Sequence, residues 1–362
     1  MLFVGICYTR FLEDRAIWTN SPKYAISLSR LDPQDILKKL HVKHYEDNIL
    51  NMTKAQLLKE FGKSAKTLNK SLFIKNVIWQ TYEKLQAGET PFDIGNIRSF
   101  LYYIKDTMDR IGANKKGNPY LIVSDMFMVM VKAGLFKYKD FRFNDDNKEN
   151  RWHARTHPNV ILLAEKTSYK DLLQEITRDF DITTLATGGQ PSYLSIEYFV
   201  DELRERGVDL ATQFMIFSIV DFDPAGDIIA TTFVENLQDN GIKNVKIFPG
   251  KFYKHFKRKD LAVPANMTKA QCKKTFRIPL KVRKSGLAAK WAARTGGVNG
   301  KKGILNGIEC SNMPYAQIMQ FFILELAKVI TIDLESIAKY RQMQPLKTQM
   351  QFFALKKLQL GM

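Results

Sequence analysis

The sequence predicts an α/β protein in two units, a helical N-terminal unit followed by a mostly parallel sheet with helices on both faces. Two observations carry that expectation. The chain has 362 residues, enough for two compact units with cores of their own. Helix signals follow one another through its first part, and from Pro158 onward short apolar runs alternate with helical segments of roughly 10 to 15 residues, the pattern of strands joined by crossover helices.

Residues 1–45 offer no functional signal. Beyond them, "TKAQLLKEF" opens with Thr53 and Gln56 in capping-box register and predicts a helix start. The string "NMTKAQ" recurs at residues 266–271 and the similarity ends there, which indicates a reused helix start and not a repeated domain. "LNKSLFIKNVIWQTYEKLQ", "NIRSFLYYIKDTMDRI" and "SDMFMVMVKAG" each place apolar residues three to four apart and predict three helices. "LFKYKDFRFNDDN" alternates and predicts a short strand or wing. Three helices and a wing over residues 46–155 outline a winged helix-turn-helix, a DNA-binding arrangement.

The second unit, residues 156–362, begins with "NVILLAEK", a buried strand ending in charge. "SYKDLLQEITRDF" is a predicted helix, "ITTLAT" a strand, "GGQP" a turn and "SYLSIEYFVDELRERG" a helix. "FMIFSIVDFD", "AGDIIATTFVENLQDNG" and "VKIFPG" continue as strand, helix and strand, and "PYAQIMQFFILELAKVI" and "LESIAKYRQMQ" predict C-terminal helices. The methionines of these last helices suit core or a dimer interface better than a cofactor site.

Composition narrows the function. The formal charge of +18 is concentrated in residues 243–302, which hold 18 Lys or Arg against one acid, Asp260, and leave the rest close to balanced. Basic charge interleaved with Phe, Tyr and Trp in one segment suits a phosphate backbone, although a solvated lysine-rich face would have the same composition. No apolar run approaches the roughly 20 residues of a membrane helix. The N-terminus lacks a basic start and a small-residue cleavage site, so a cytoplasmic, nucleoid-associated location is expected. Cys7, Cys272 and Cys310 share no metal-type spacing. His153 and His157 stand four apart in "RWHARTHP", a metal-binding spacing on a helix, but Pro158 follows at once and no third ligand accompanies them.

The chemistry concentrates at strand ends. Glu165 closes "VILLAE", and Asp221 with Asp223 closes "FSIVDFD". In an open parallel sheet, ligands lie beyond the carboxyl ends of the strands. Residues two apart on an extended chain point to one side, so Asp221 and Asp223 can converge, with Glu165 beside them if the strands are neighbours. Three oxygen donors suit a hard cation such as Mg2+. "DPAG" is by itself a good turn sequence, and that reading survives as the scaffold for the acids.

"ILLAEK", "ATGGQPS" and "VDFDPAGD", in this order and each at the end of a strand, resemble the Toprim domain. The closest likeness is to the variant in the topoisomerase VI A subunit and its eukaryotic relative, the meiotic double-strand-break protein. In that family Lys follows the glutamate, as Lys166 follows Glu165; the middle strand runs into a Thr-Gly turn, as at Thr187 and Gly188; and the pair sits in D-x-D-P-x-G, as at Asp221 to Gly226. "GIECSNMP", with Glu309, is a loose match to a later family motif. The resemblance spans roughly residues 90–330 and implies that Glu165, Asp221 and Asp223 bind Mg2+; Lys166 reads either as a phosphate contact or as a surface lysine flanking a carboxylate.

That family cleaves DNA with a tyrosine in the pattern R-x-x-[Tyr/Phe]-Tyr, and "IRSFLYYIKD" is the corresponding stretch. Counting from Arg98 favours Tyr102, four residues on and on the same helix face. Aligning on the tyrosine pair instead selects Tyr103. The resemblance implies a homodimer that cuts double-stranded DNA through a 5′-phosphotyrosyl link, as the A subunit of a type IIB topoisomerase does with a separate GHKL-type ATPase B subunit. No glycine-rich ATP-binding loop appears in this chain. Two rivals stand beside this reading: a Toprim nuclease that hydrolyses DNA with water, and a DNA-binding subunit without catalysis.

Overall fold

The structure is a computed structural model and describes residues 25, 27–64, 66–89, 95–112, 118–221, 224–248, 273–277, 298–299, 304–308, 310–312, 315–333, 335–339 and 341–343. Asp223, Glu309 and most of the basic segment lie outside these residues.

The helical unit contains α1 (Pro33–Lys39), α2 (Lys54–Phe61), α3 (Lys70–Gln86), α4 (Ile97–Arg110) and α5 (Pro119–Lys132), with a short hairpin of β1 (Gly62–Ser64) and β2 (Thr67–Leu68) between α2 and α3. The expected capping box begins α2: Thr53 N donates to Gln56 Oε1 at 2.8 Å, and Gln56 N donates to Thr53 Oγ1 at 3.3 Å. Asn69, Asn96 and Asn118 cap α3, α4 and α5, each side chain accepting a first-turn N–H. The three helices bury Phe73, Ile74, Val77, Phe100, Ile104, Phe127 and Met130 in one core. Polar groups inside it are satisfied locally. Lys75 Nζ donates to Leu40 O at 2.7 Å, and Gln80 Nε2 donates to Tyr45 O and Asp47 O, pinning the 42–48 segment against α3.

Residues 135–147 do not form the expected strand. Tyr138–Phe141 is a 3-10 turn, followed by Arg142 in the left-handed region. Leu135, Phe136, Tyr138, Phe141 and Phe143 all enter the core, where Phe127 packs edge-on against Phe141 and Phe143. A strand would send alternate members of that set into water, so burying all five favours the turn.

The second unit is a five-stranded sheet in the order β3-β5-β4-β6-β7, with β3 Arg151–Trp152, β4 His157–Ala164, β5 Ile182–Ala186, β6 Phe214–Ile219 and β7 Val245–Phe248. All pairings are parallel except the short β3 edge. The helices are α6 (Lys170–Phe180), α7 (Tyr193–Glu205), α8 (Pro224–Asp239) and α9 (Tyr315–Leu326). Alternation along the central strands sorts them onto two faces. Val160, Leu162, Phe217 and Ile219 meet α6 and α9 on one face, while Ile161, Leu163, Phe214 and Ile216 meet α7 and α8 on the other. Residues 335–339 and 341–343 are helical, and Met319 is a core residue of α9. Strands β8 (Lys273–Arg277), β9 (Val298–Asn299) and β10 (Ile304–Ile308) form a separate antiparallel sheet in the order β8-β10-β9.

Helix α7 joins the units. Tyr193 and Leu194 belong to the helical core, whereas Ile196, Phe199, Val200 and Leu203 face the sheet. Glu197 Oε1 accepts the Tyr138 N–H at 2.8 Å, Tyr198 Oη donates to Phe143 O at 2.6 Å, and Asp201 receives both Lys137 and Lys139. Buried Arg151 donates to Ser195 O at 2.9 Å and to Glu202 Oε1 at 2.8 Å. His153 Nε2 meets Glu202 Oε2 at 2.8 Å, and residues 153–156 are not helical, so the helix-face pairing of His153 with His157 does not arise.

Candidate active site

The chain order of the strands creates the site. From β4 the chain crosses by α6 to β5 on one side, then by α7 back past β4 to β6 on the other. Between β4 and β6 the successive connections lead in opposite directions, and in open α/β sheets ligands lie beyond the carboxyl ends at such a switch point. Glu165 follows the last residue of β4, and Asp221 lies two beyond the last of β6. The strands pair in parallel register with Ala164 opposite Ile219, which delivers both acids to one place.

Backbone contacts hold them there. Glu165 N donates to Ile219 O at 2.9 Å, and Asp221 N donates to Glu165 Oε2 at 3.0 Å. From a distant part of the chain, Cys310 N donates to Asp221 Oδ1 at 3.0 Å. The Thr-Gly turn after β5 closes a third side. Thr187 N donates to Ala164 O at 3.0 Å and Gly189 N donates to Glu165 O at 3.1 Å, with Gly188 and Gly189 at φ of +63° and +121°. Gly226 has a steric role in the D-x-D-P-x-G turn, because a Cβ there would collide with the Asp221 carbonyl.

Lys166 completes the arrangement. Its Nζ is 3.1 Å from Glu165 Oε1 and 3.0 Å from Asp221 Oδ2. Asp221 is only 2 % exposed, and a carboxylate so buried requires a positive partner and hydrogen-bond donors. The ammonium and the Cys310 N–H supply both. Burial first, then the adjoining Asp221 carboxylate, pushes the Cys310 thiol far above its ordinary range, so the thiol stays protonated.

The expected tyrosine region lies on α4 of the helical unit. Tyr102 is 63 % exposed, whereas Tyr103 turns inward, edge-on to Phe100 at 6.2 Å between ring centres. Burial pushes the Tyr103 phenol up, opposed by a hydrogen bond with Asn48. Arg98 is exposed one turn before Tyr102, and its guanidinium lies 5.7 Å from the centre of the Tyr120 ring. The structure thus brings Glu165 and Asp221 together and separates Tyr102 from Tyr103 by exposure, while Asp223 lies outside the described residues. Among the described residues no group of three or more His, Cys, Asp or Glu forms a metal-binding cluster, and no helix is long and apolar enough to cross a membrane.

Sequence reasoning missed the position of Lys166 between the acids and the Cys310 N–H on Asp221. The Glu-Lys dipeptide signals the first, but nothing local to Asp221 signals a donor 89 positions away. Compared with known proteins, the chain matches no family and no curated sequence.

Proposed function

We propose that this chain cleaves double-stranded DNA in the manner of the topoisomerase VI A subunit, with a winged-helix unit that carries the nucleophile and a Toprim-type sheet that carries the metal. The observation that supports this reading best is the pair Glu165 and Asp221, set at the switch point of a parallel sheet around a positive charge. Their donor set, oxygen only and already holding a cation, fits Mg2+. Glu165 and Asp221 would hold the ion, and Asp223 is proposed as the third carboxylate. When bound, Mg2+ supplies positive charge at the scissile phosphate. In this reading the short hairpin β1–β2, with Lys63 and Lys66 exposed, would have to serve as the wing, since residues 135–147 do not form one.

Exposure favours Tyr102 over Tyr103 as the nucleophile. Its phenol oxygen attacks a backbone phosphorus, the bond from phosphorus to the 3′ oxygen breaks, and that oxygen leaves and takes up a proton. The 5′ phosphate stays esterified to the tyrosine. One ester replaces another, so attack by the freed 3′ hydroxyl reseals the strand without an external energy source. Arg98, a turn away on the same helix, stabilises charge on the phosphoryl oxygens. In the homodimer of this reading, the tyrosine of one protomer works beside the carboxylates of the other. A separate GHKL-type ATPase subunit would couple cleavage to strand passage.

The test is incubation of the full chain with Mg2+ and duplex DNA labelled near the 5′ side of breaks, then denaturation and nuclease digestion. Label bound to wild-type protein and lost in Tyr102→Phe supports the proposal. Cleavage that persists in both Tyr102→Phe and Tyr103→Phe, with no labelled protein, contradicts it and leaves hydrolysis by water.

A further inference from the structure

We infer that Lys166 is the resident counter-ion of the candidate metal site, occupying the cation's place in the metal-free protein and leaving it when a divalent ion enters. The inference rests on the reading of Glu165 and Asp221 as metal ligands and adds a competitor that the chain itself supplies.

The two acids are held by backbone groups, whereas the ammonium sits at the end of a flexible four-carbon stem. Glu165 and Asp221 follow paired parallel strands, and backbone N–H groups of Asp221 and Cys310 bind their remaining oxygens. Lys166 precedes the 3-10 turn Thr167–Tyr169 and reaches the acids only by its four-carbon stem. Its side chain is 27 % exposed while that of Asp221 is 1 % exposed, so a path to solvent lies on the lysine side. An ammonium about 3 Å from one oxygen of each acid, as here, stands where a cation bridging those oxygens has to lie. A divalent ion and an ammonium cannot share that space, because the two would overlap and like charges at such separation repel strongly. Metal entry would therefore be an exchange, in which the charge-assisted hydrogen bonds of Lys166 to Glu165 and Asp221 give way and the ammonium swings outward. The displaced ammonium then stands at the mouth of the crevice, where a phosphate oxygen is a suitable partner.

The experiment measures Mn2+ binding to the full chain by electron paramagnetic resonance, without DNA, at one pH and low ionic strength. Lys166→Met removes the charge and keeps most of the stem, Lys166→Gln keeps a neutral donor, and Lys166→Arg keeps the charge. Lys166→Met and Lys166→Gln are expected to bind Mn2+ about tenfold more tightly than wild type or beyond, a factor that corresponds to about 1.4 kcal/mol. Lys166→Arg is expected to bind no more tightly than wild type. As a second readout, the neutral variants should melt below wild type without metal and gain more in melting temperature from Mn2+. Equal or weaker Mn2+ binding in both neutral variants overturns the inference and leaves the metal reading intact. Failure of wild type and all variants to bind Mn2+ overturns both.

Discussion

The ammonium of Lys166 stands 3.0 Å from Asp221 Oδ2, and this contact ties the end of β6 to the residue that follows Glu165 at the end of β4. Asp221 is thereby a buried carboxylate whose charge is compensated. Asp221→Asn keeps the shape of the side chain and an oxygen to accept the Cys310 N–H. Metal-dependent cleavage should fall by about a hundredfold or more, the scale of losing one preorganised electrostatic group. A plasmid-nicking time course beside a thermal melt checks this: loss of the Lys166 contact should lower the melt, as in the neutral Lys166 variants, while the protein stays folded and cleavage is lost.

Tyr102 and Tyr103 should separate by stability as well as by chemistry. Tyr102 is exposed, so Tyr102→Phe is expected to change unfolding free energy by less than about 0.5 kcal/mol. Tyr103 is half-buried and hydrogen-bonded to Asn48, so Tyr103→Phe should cost about 1 kcal/mol. Urea denaturation of the two variants measures the difference.

Gly226 lies against the backbone of Asp221. A methyl group there has no room unless the turn moves, and such overpacking costs about 1 to 3 kcal/mol. Gly226→Ala should therefore lower stability and weaken Mn2+ binding together, measured by denaturation and by metal titration. A substitution that lowered stability alone would place the displacement away from Asp221.

Glu197 predicts the direction of a pH effect. Burial raises its carboxyl from 4.5 to about 7, against the opposing influences of Lys137 and the Lys139 and Tyr138 N–H groups. The folded protein therefore holds this proton more tightly than the unfolded chain. The contribution of Glu197 to stability is fully present below about pH 4.5 and is lost as pH rises through about 7, a change on the order of 3 kcal/mol. Lys75, lowered by burial to about 8, acts in a separate window and favours the folded state as pH rises from about 8 to 10.5. Denaturation at a series of pH values should show the fall between about pH 5 and 7, and Glu197→Gln should flatten it.

The parallel sheet was legible because its strands are apolar runs bounded by turns, and Glu165 and Asp221 were legible because each interrupts such a run with charge. The hairpin β1–β2 and the edge strand β3 are only two or three residues per strand, too short for alternation to register. "LFKYKDFRFNDDN" alternates in sequence yet folds as a turn, since tertiary burial of Leu135, Phe136, Tyr138, Phe141 and Phe143 outweighs the local pattern. The double role of α7 was hidden for the same reason: nothing in the helix's own sequence marks Glu197 and Asp201 as receiving Tyr138 and two lysines from the neighbouring unit. At the site, residue types and spacing singled out Glu165 and Asp221, which the sheet brings together. The positions of Lys166 and Cys310 depend on which way a side chain turns and on which distant segment returns, and neither leaves a periodic trace.

The central claim is that a tyrosine on α4 becomes covalently joined to DNA at a break that Glu165 and Asp221 support. Trypsin releases both tyrosines in one peptide, residues 99–105, between Arg98 and Lys105. The most direct measurement is tandem mass spectrometry of that peptide after Mg2+-dependent cleavage of duplex DNA and nuclease digestion. The predicted result is a 5′-linked nucleotide phosphate on Tyr102, absent from Asp221→Asn. DNA cut to completion with an unmodified 99–105 peptide would contradict the account.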